Sequence, residues 1–228
     1  MAPGYPGCVR LLLVRHGQSQ ANLAWATDGT VWPHADEALT ELGHVQAQAL
    51  AHAFATGRLP RPGVLATSLM ARAVDTVAPT AAALGMPVAG LVEAYEVGSS
   101  GPGLGRSALL ERCPGLELPD EATEAGWYLH PAEEREEAWD RATRVVSGLV
   151  RRYGGTDDLV VLVTHGMFIQ LLMGIIGGWE VDFGALNVFF NHNNTGHTLL
   201  TFPSVYGERC LVGWVNRTDH LRPDQLSD

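Results

Sequence analysis

The chain has 228 residues, 46% of them hydrophobic and 18% charged, which is typical of a soluble globular protein with one substantial core. Its net charge of −10 argues against attraction to nucleic acid or anionic membranes, so an anionic ligand has to be bound by local groups. All 15 basic residues are arginine, which excludes mechanisms that need a catalytic lysine, such as P-loop nucleotide binding or Schiff-base chemistry.

The first predicted element is a strand that runs directly into polar residues. Val9–Val14 is a continuous aliphatic run, which is typical of a strand buried on both faces of a parallel sheet. Arg15, His16 and Gly17 follow it at once and do nothing for a hydrophobic core. The pattern therefore predicts a strand that carries functional groups at its carboxyl end.

The next element is a helix over residues 39–57. Its apolar residues recur along one face, Thr40 suits the N-cap, and Gly57 suits the position after the last turn. A short apolar run at Val64–Ser68 then predicts a second strand.

A second helix is predicted to follow that strand. We expect Ser68 to cap it and Gly85 to close it. Pro79 is expected to kink this helix or to end it early, because proline removes a helical hydrogen bond. Met86–Gly90 is predicted to be the strand after it.

The second half of the chain begins with an irregular segment and returns to alternating elements. Tyr95–Leu129 concentrates glycine, proline and serine, and is predicted to be an insertion that covers a site. Pro131–Tyr153 has an apolar stripe with acidic residues early and arginines late, which predicts a helix. Leu159–Thr164 is another aliphatic run, and His165 and Gly166 follow it. Further strands are expected at Val188–Phe190, Thr198–Phe202 and Cys210–Val215.

The alternation of strands and helices predicts a three-layer α/β/α sandwich with a mostly parallel sheet and helices on both faces. We expect a single domain over residues 1–228, with a cap insertion at about 95–129. In such a sheet, anions bind beyond the carboxyl ends of strands, where helix N-termini point free N–H groups outward. His16 and His165 are predicted at two such ends. The guanidinium groups that suit bidentate binding of phosphoryl oxygens there belong to Arg15 and Arg72.

An ordered set of motifs resembles the histidine phosphatase superfamily, also called phosphoglycerate mutase-like. The set is VRHGQSQAN, which contains the Arg-His-Gly motif, followed by LTELGHVQAQALA, SLMARAVDT, VTHG and NRTDHL, and it spans nearly the whole chain. The resemblance implies that His16 is the nucleophile and that His165 belongs to the same pocket. It also implies a proton donor, Glu93, and a set of phosphate-binding residues: Arg15, Asn22, Arg72 and Gly166.

The chemistry of these groups agrees with the implied roles. A neutral imidazole can attack phosphorus and form a phosphohistidine, which splits one difficult transfer into two easier ones. Guanidinium groups stabilise the equatorial oxygens, and a carboxylic acid protonates the departing alkoxide. The prediction is a phosphatase that hydrolyses small phosphate monoesters through a phosphohistidine on His16, without a metal or another cofactor.

Three departures from the family pattern bear on the site. Gln18 stands where glutamate is common after Arg-His-Gly, and we expect little loss from this change. The usual Gly-x-x-Glu-Gly is missing after Glu93, which leaves Glu96 as a local rival for the proton donor. Met167 and Phe168 are bulky where smaller residues are common, and are expected to narrow the pocket.

Two other functions stay open. One is cofactor-dependent phosphoglycerate mutase-type transfer, for which Arg106 and Arg112 could bind a substrate carboxylate. The other is a catalytically silent phosphate-binding module. At the level of residues, Asn22 is equally suited to cap a turn. The remaining histidines match no metal-binding motif, so no metal site is predicted.

The expected partner is a small phosphorylated molecule, with no nucleic acid and no membrane. The N-terminus lacks an export signal and no segment is apolar enough to span a bilayer, so a cytoplasmic location is expected. The late strands could expose an edge for pairing with a second copy, so a homodimer stays open. The cysteines are too scattered for disulfides and are predicted to be free thiols: Cys8, Cys113 and Cys210.

Overall fold

A mixed sheet lies at the centre of the fold. The computed structural model describes residues 7–30, 36–128, 133–179, 189–203 and 209–228, and the elements below belong to those ranges. The strands are β1 Cys8–Arg15, β2 Val64–Ser68, β3 Val88–Leu91, β4 Leu116–Glu117, β5 Leu159–Thr164, β6 His197–Pro203 and β7 Leu211–Arg217. The helices are α1 Gln20–Asp28, α2 Glu41–Ala55, α3 Ala71–Leu84, α4 Arg106–Arg112, α5 Arg135–Tyr153 and α6 Gly166–Ile176.

The sheet has the strand order β4-β3-β2-β5-β1-β6-β7. Strands β4 to β1 in this order pair in parallel, whereas β6 and β7 pair antiparallel with their neighbours. The predicted mostly parallel sheet is therefore confirmed. The carboxyl ends of β2, β5 and β1 lie side by side at one end of the sheet. The helices that follow these strands in the sequence are α3, α6 and α1.

Side chains of β1 alternate between two hydrophobic clusters, one on each face of the sheet. Leu12 and Val14 pack in one cluster with residues of α2 and α3, such as Leu50 and Val77. Leu11 and Leu13 pack in the other with α5 and α6. Because β1 is covered on both faces, the aliphatic run has no solvent-exposed side, and the three-layer α/β/α arrangement is confirmed.

Several elements have the bounds that the sequence predicted. The strands Val64–Ser68 and Leu159–Thr164 are found as predicted, and the strand predicted at Met86–Gly90 begins at Val88. Thr40 is the N-cap of α2, where its Oγ1 accepts the Gly43 N–H at 3.0 Å. This side-chain cap explains why the helix begins where the sequence predicted.

Gly85 closes α3 in the left-handed conformation, as predicted, but the predicted Ser68 cap and an early end at Pro79 were wrong. Met70 is its N-cap, whereas Ser68 is the last residue of β2 and uses its Oγ to accept the Met70 N–H at 3.3 Å. The helix also continues through Pro79 to Leu84. Burial of its apolar face, with Val77 1% exposed, offsets the roughly 3 kcal/mol that an internal proline costs.

The segment predicted as an irregular insertion contributes to the sheet and the core. Its β4 pairs in parallel with β3, and Leu109 of α4 is fully buried. Leu129 lies outside the described residues, as does Val188 of the strand predicted at Val188–Phe190. The rest of that strand prediction was wrong, because Phe190 N–H donates to the Gln170 side chain at 2.8 Å and to no neighbouring strand. None of the described helices is long and apolar enough to cross a lipid bilayer.

Candidate active site

Two neighbouring parallel strands bring His16 and His165 together. Arg15 at the end of β1 lies opposite Thr164 at the end of β5, and the His16 N–H donates to the Thr164 carbonyl at 2.9 Å. The two rings that follow have centroids 5.2 Å apart and planes inclined by 56°. Pairing of β1 with β5 thus makes neighbours of two histidines that are remote in the sequence.

The contacts of His16 define its tautomer. Nδ1 lies 2.7 Å from the Gly17 carbonyl oxygen, which can only accept, so Nδ1 carries the proton. Nε2 therefore has a lone pair, to which Arg72 Nε donates at 3.1 Å. Burial, followed by the charges of Arg72 and Arg15, lowers the pKa of His16 well below its usual value. The ring is neutral at neutral pH, as a nitrogen nucleophile has to be.

His165 is fully buried, and its Nε2 lies 2.8 Å from Ser68 Oγ. Ser68 Oγ also accepts the Met70 N–H and can donate its own proton to His165 Nε2, an arrangement that leaves the ring proton on Nδ1. Among the described residues, Nδ1 has no partner. Burial, and then the charge of Arg72, lowers the pKa of this histidine well below its usual value.

A buried carboxylate holds Arg72, the second residue of α3. Arg72 Nη1 lies 3.2 Å from Glu37, and both side chains are almost completely buried. Ser19 Oγ donates to the same carboxylate at 3.4 Å. The neighbouring Asp36 accepts the Ala71 N–H at 2.6 Å, and burial raises its pKa to about 6. Sequence reasoning missed these acids, although two adjacent carboxylates stand just before the predicted helix over 39–57.

Arg15 reaches across the edge of the sheet toward α6. Its Nη1 donates to the His192 carbonyl, whereas its Nε is buried without a partner among the described residues. A Cβ at Gly166 would lie 3.4 Å from Arg15 Nε, at van der Waals contact, so the guanidinium group lies directly against the first residue of α6. A cavity of about 150 Å³ opens here, lined by Arg15, Glu96, Gly166, Met167, Phe189, Phe190, Asn191 and His192.

Asn22 forms a capping box with Ser19, the N-cap of α1, and also connects to the loop that carries His16. Its Oδ1 accepts the Ser19 N–H and Asn194 Nδ2, each at 3.1 Å. Asn194 Nδ2 also donates to the His16 carbonyl at 3.1 Å. The capping role weighed from the sequence is thus present, and Asn22 Nδ2 makes no hydrogen bond to the residues that the structure describes.

The C-terminal residues are part of the same network, which sequence reasoning missed. Ser227 Oγ donates to Asn194 Oδ1 at 2.9 Å and accepts from Gln46 Nε2 at 2.8 Å. Gln46 Oε1 in turn accepts the Gln18 N–H at 2.8 Å. Ser227 therefore links two supports of the loop that carries His16, and the only sequence signal was a cluster of polar residues at the end of the chain.

The two candidate proton donors lie in different surroundings. The Glu93 side chain is 45% exposed and pairs with Arg144 at 2.7 Å, its only side-chain partner within the described ranges. Glu96 lines the cavity with Arg15 and Gly166. The structure therefore brings the rival carboxylate to the cavity, together with Met167 of the bulky pair noted in the sequence.

Most of the other histidines lie away from this cavity. His34 and His130 are outside the described residues. His197 and His220 are buried beside each other, with ring centroids 5.5 Å apart. In the part of the chain that the structure describes, no group of three or more His, Cys, Asp or Glu side chains is arranged to hold a metal ion.

Comparison with known proteins identifies a matching family model and several similar proteins. The family model of the histidine phosphatase superfamily (branch 1) matches residues 11–214. A glucosyl-3-phosphoglycerate phosphatase of Mycolicibacterium vanbaalenii is 30% identical over 179 residues, which are 76% of this chain and 76% of that protein. A mycobacterial glucosyl-3-phosphoglycerate phosphatase solved with inorganic phosphate gives a TM-score of 0.63 at 25% identity, covering 93% of this chain and 99% of that one.

A second solved structure supports the fold. It is a phosphoserine phosphatase of Entamoeba histolytica in complex with 3-phosphoglyceric acid, with a TM-score of 0.66 at 20% identity, covering 94% of this chain and all of that one. The matched range runs from β1 into β7 and includes both histidines of the pair. The resemblance stated from the motifs is confirmed, and with it the class of phosphatase. This chain belongs to the histidine phosphatase superfamily.

Proposed function

We propose that this protein hydrolyses small phosphate monoesters through a transient phosphohistidine on His16. The observation that carries the proposal is a buried, neutral His16 whose Nε2 lone pair faces Arg72. His165 and Arg15 flank the same place, so one phosphoryl group could contact all four side chains.

The binding of a phosphoryl group is supported by polar atoms that lack partners among the described residues. Arg15 Nε and His165 Nδ1 are buried donors of this kind. Gly166, as the first residue of α6, contributes a free backbone N–H at a helix N-terminus. Asn22 Nδ2 is a further donor. For attack to occur, the Arg72 Nε–H has to turn from His16 Nε2 to a phosphoryl oxygen, which frees the lone pair.

Catalysis would then proceed in two steps. His16 Nε2 attacks phosphorus and forms an N–P bond while the O–P bond to the alcohol breaks. Arg15, Arg72 and His165 stabilise the negative charge on the equatorial oxygens, in a site from which water is largely excluded. A water molecule then attacks the phosphohistidine and releases inorganic phosphate, which restores neutral His16.

A panel of phosphate monoesters tests the proposal, with glucosyl-3-phosphoglycerate and phosphoserine included because relatives carry those names. Wild-type protein should release inorganic phosphate, and His16→Ala should lower kcat by at least ~10⁴-fold while leaving the thermal unfolding midpoint nearly unchanged. A phosphorylated, acid-labile peptide that contains His16 should be recovered after rapid quenching.

Two results would overturn this function. Interconversion of phosphoglycerates that depends on a bisphosphate primer, with no release of phosphate from other esters, would identify a mutase. Vanadate binding without turnover of any ester, equal in wild type and His16→Ala, would identify a silent phosphate-binding module.

A further inference from the structure

We propose that Glu96, which lies in the cavity beside Arg15, is the group that protonates the leaving alcohol during transfer to His16. This inference rests on the proposed phosphatase function and assigns the acid that the reaction needs. It places that role three residues beyond Glu93, where the family resemblance implied the donor.

The Glu96 carboxylate is positioned at the N-terminus of α6, directly after His165. Oε1 accepts the N–H groups of Val97 at 2.9 Å and Phe168 at 3.0 Å, whereas Oε2 accepts only the Met167 N–H at 3.2 Å. A carboxyl oxygen can make two such contacts. Oε2 is therefore the oxygen with room for a proton, and it belongs to a residue that lines the cavity with Arg15 and Gly166.

The backbone before Glu96 is fixed to the strand end that carries His165. Thr164 Oγ1 donates to the Ala94 carbonyl at 2.7 Å. The buried Arg141 donates through Nη1 to the carbonyls of Glu93 at 2.7 Å and Tyr95 at 3.0 Å. These hydrogen bonds tie the turn to β5 and α5, and so position the backbone from which the Glu96 side chain reaches the cavity.

The Glu93 side chain, from the same turn, lies against Arg144 and not in the cavity. Its carboxylate accepts two hydrogen bonds from Arg144, at 2.9 and 2.7 Å, on a surface where both side chains are about half exposed. This carboxylate is held at the solvent-exposed surface by Arg144, and Glu93 is not among the residues that line the cavity beside Arg15. Glu93 is thus poorly placed to deliver a proton.

The proposed step begins with Glu96 as a carboxylic acid beside the bound phosphoryl group. As the N–P bond to His16 forms and the O–P bond breaks, Glu96 Oε2–H gives its proton to the departing oxygen, and the alcohol leaves neutral. In the second step the Glu96 carboxylate takes a proton from the attacking water, which closes the cycle with atoms and charge balanced.

The test compares two leaving groups in Glu96→Gln and Glu93→Gln. The 4-nitrophenolate of 4-nitrophenyl phosphate departs without protonation, whereas the alkoxide of glycerol 2-phosphate needs a proton. Because kcat/KM reports the steps up to phosphorylation of His16, we expect Glu96→Gln to lower it by ~10²–10⁴-fold for the alkyl ester. The loss for 4-nitrophenyl phosphate should be much smaller. Glutamine keeps a carbonyl acceptor for α6, so thermal unfolding and vanadate binding should be retained.

A second variant keeps the test decisive if Glu96→Gln does not fold. Glu96→Asp retains a carboxyl group on a shorter side chain, so it should lower kcat/KM for the alkyl ester more than for 4-nitrophenyl phosphate, while its pH profile for the alkyl ester keeps a basic limb. A loss confined to the alkyl ester in Glu93→Gln, or an equal loss for both esters in Glu96→Gln, would overturn the assignment. If wild type cleaves neither ester, the phosphatase function itself fails, so the two failures are distinguishable.

Discussion

Two pairs of buried histidines lie ring to ring in the part of the chain that the structure describes, and they have different surroundings. The rings of His16 and His165 are 5.2 Å apart, and those of His197 and His220 are 5.5 Å apart. Burial is the largest cause of the lowered pKa in all four. Proximity and desolvation of two imidazoles are therefore common to both pairs and do not by themselves make a site.

The surroundings separate the two pairs. Trp214 Nε1 donates to His197 Nδ1 at 3.0 Å, and Thr195 Oγ1 lies 3.0 Å from His220 Nε2, whereas the other nitrogen of each ring is buried without a hydrogen-bond partner among the described residues. The first pair instead borders two buried guanidinium groups: that of Arg15, whose Nε has no hydrogen-bond partner among the described residues, and that of Arg72, whose Nη1 lies against Glu37. Two buried guanidinium groups beside the rings are what make the first pair suited to phosphoryl transfer.

The largest expected effect comes from removing one of those guanidinium groups. Arg72→Ala should lower kcat/KM by ~10²–10³-fold, because a preorganised donor to the transition state is lost. Arg217→Ala, next to the second pair and half exposed, should leave kcat/KM nearly unchanged. Steady-state kinetics on one alkyl phosphate measures both.

Stability has to be controlled in that experiment, since Arg72→Ala leaves Glu37 buried without its ion pair. The double variant Arg72→Ala/Glu37→Gln should recover the thermal unfolding midpoint without recovering activity. Equal losses of activity in Arg72→Ala and Arg217→Ala would show that the two pairs are not distinguished by their cations.

A smaller effect is expected on stability at acidic pH, from the second pair. The pKa of His197 is lowered to about 3 and that of His220 to about 4, so between those values and the ordinary 6.5 only the unfolded chain binds protons. The two neutral rings cost no stability above pH 6.5. As the pH falls below that value, proton binding by the unfolded chain lowers the free energy of unfolding. At about 1.4 kcal/mol per pKa unit, each should cost on the order of 3 kcal/mol by pH 4.

Urea unfolding at pH 7 and pH 5 measures this loss, with His220→Gln as the comparison. The variant should lose less stability than wild type over this interval, and its kcat/KM at pH 7 should change little. Asp36, whose pKa is raised to about 6, acts in the opposite direction in both proteins and cancels in the difference. Parallel losses in the two proteins would contradict the contribution of His220.

The smallest effect should come from Ser227→Ala, which removes the link between Asn194 and Gln46 behind the first pair. Loss of these hydrogen bonds should cost about 1 kcal/mol. We expect kcat to fall by less than ~10-fold with KM retained, because the link positions His16 and does not contact substrate. Ser227→Thr, which keeps the hydroxyl, should behave like wild type. A change in KM alone would argue against positioning.

Whether a region can be predicted from the sequence depends on how far apart in the chain its interacting residues are. The strands β1 and β5 and the histidines after them were predictable, because aliphatic runs and the residues that follow them are local patterns. The contacts of Glu37, Asn194 and Ser227 were not, because they join segments that are remote in the sequence. Gly43 shows the same limit: within its helix it is unremarkable, yet a Cβ there would lie 2.2 Å from the Gln18 carbonyl oxygen.

The place of β1 in the sheet also has a consequence for how the chain folds during synthesis. Its hydrogen-bonded neighbours are β5 and β6, which lie at residues 159–164 and 197–203. The strand that precedes His16 is made before both of them and cannot pair until they have left the ribosome. A nascent chain therefore carries this aliphatic segment unpaired until β5 has been made, and His16 and His165 can come together only then.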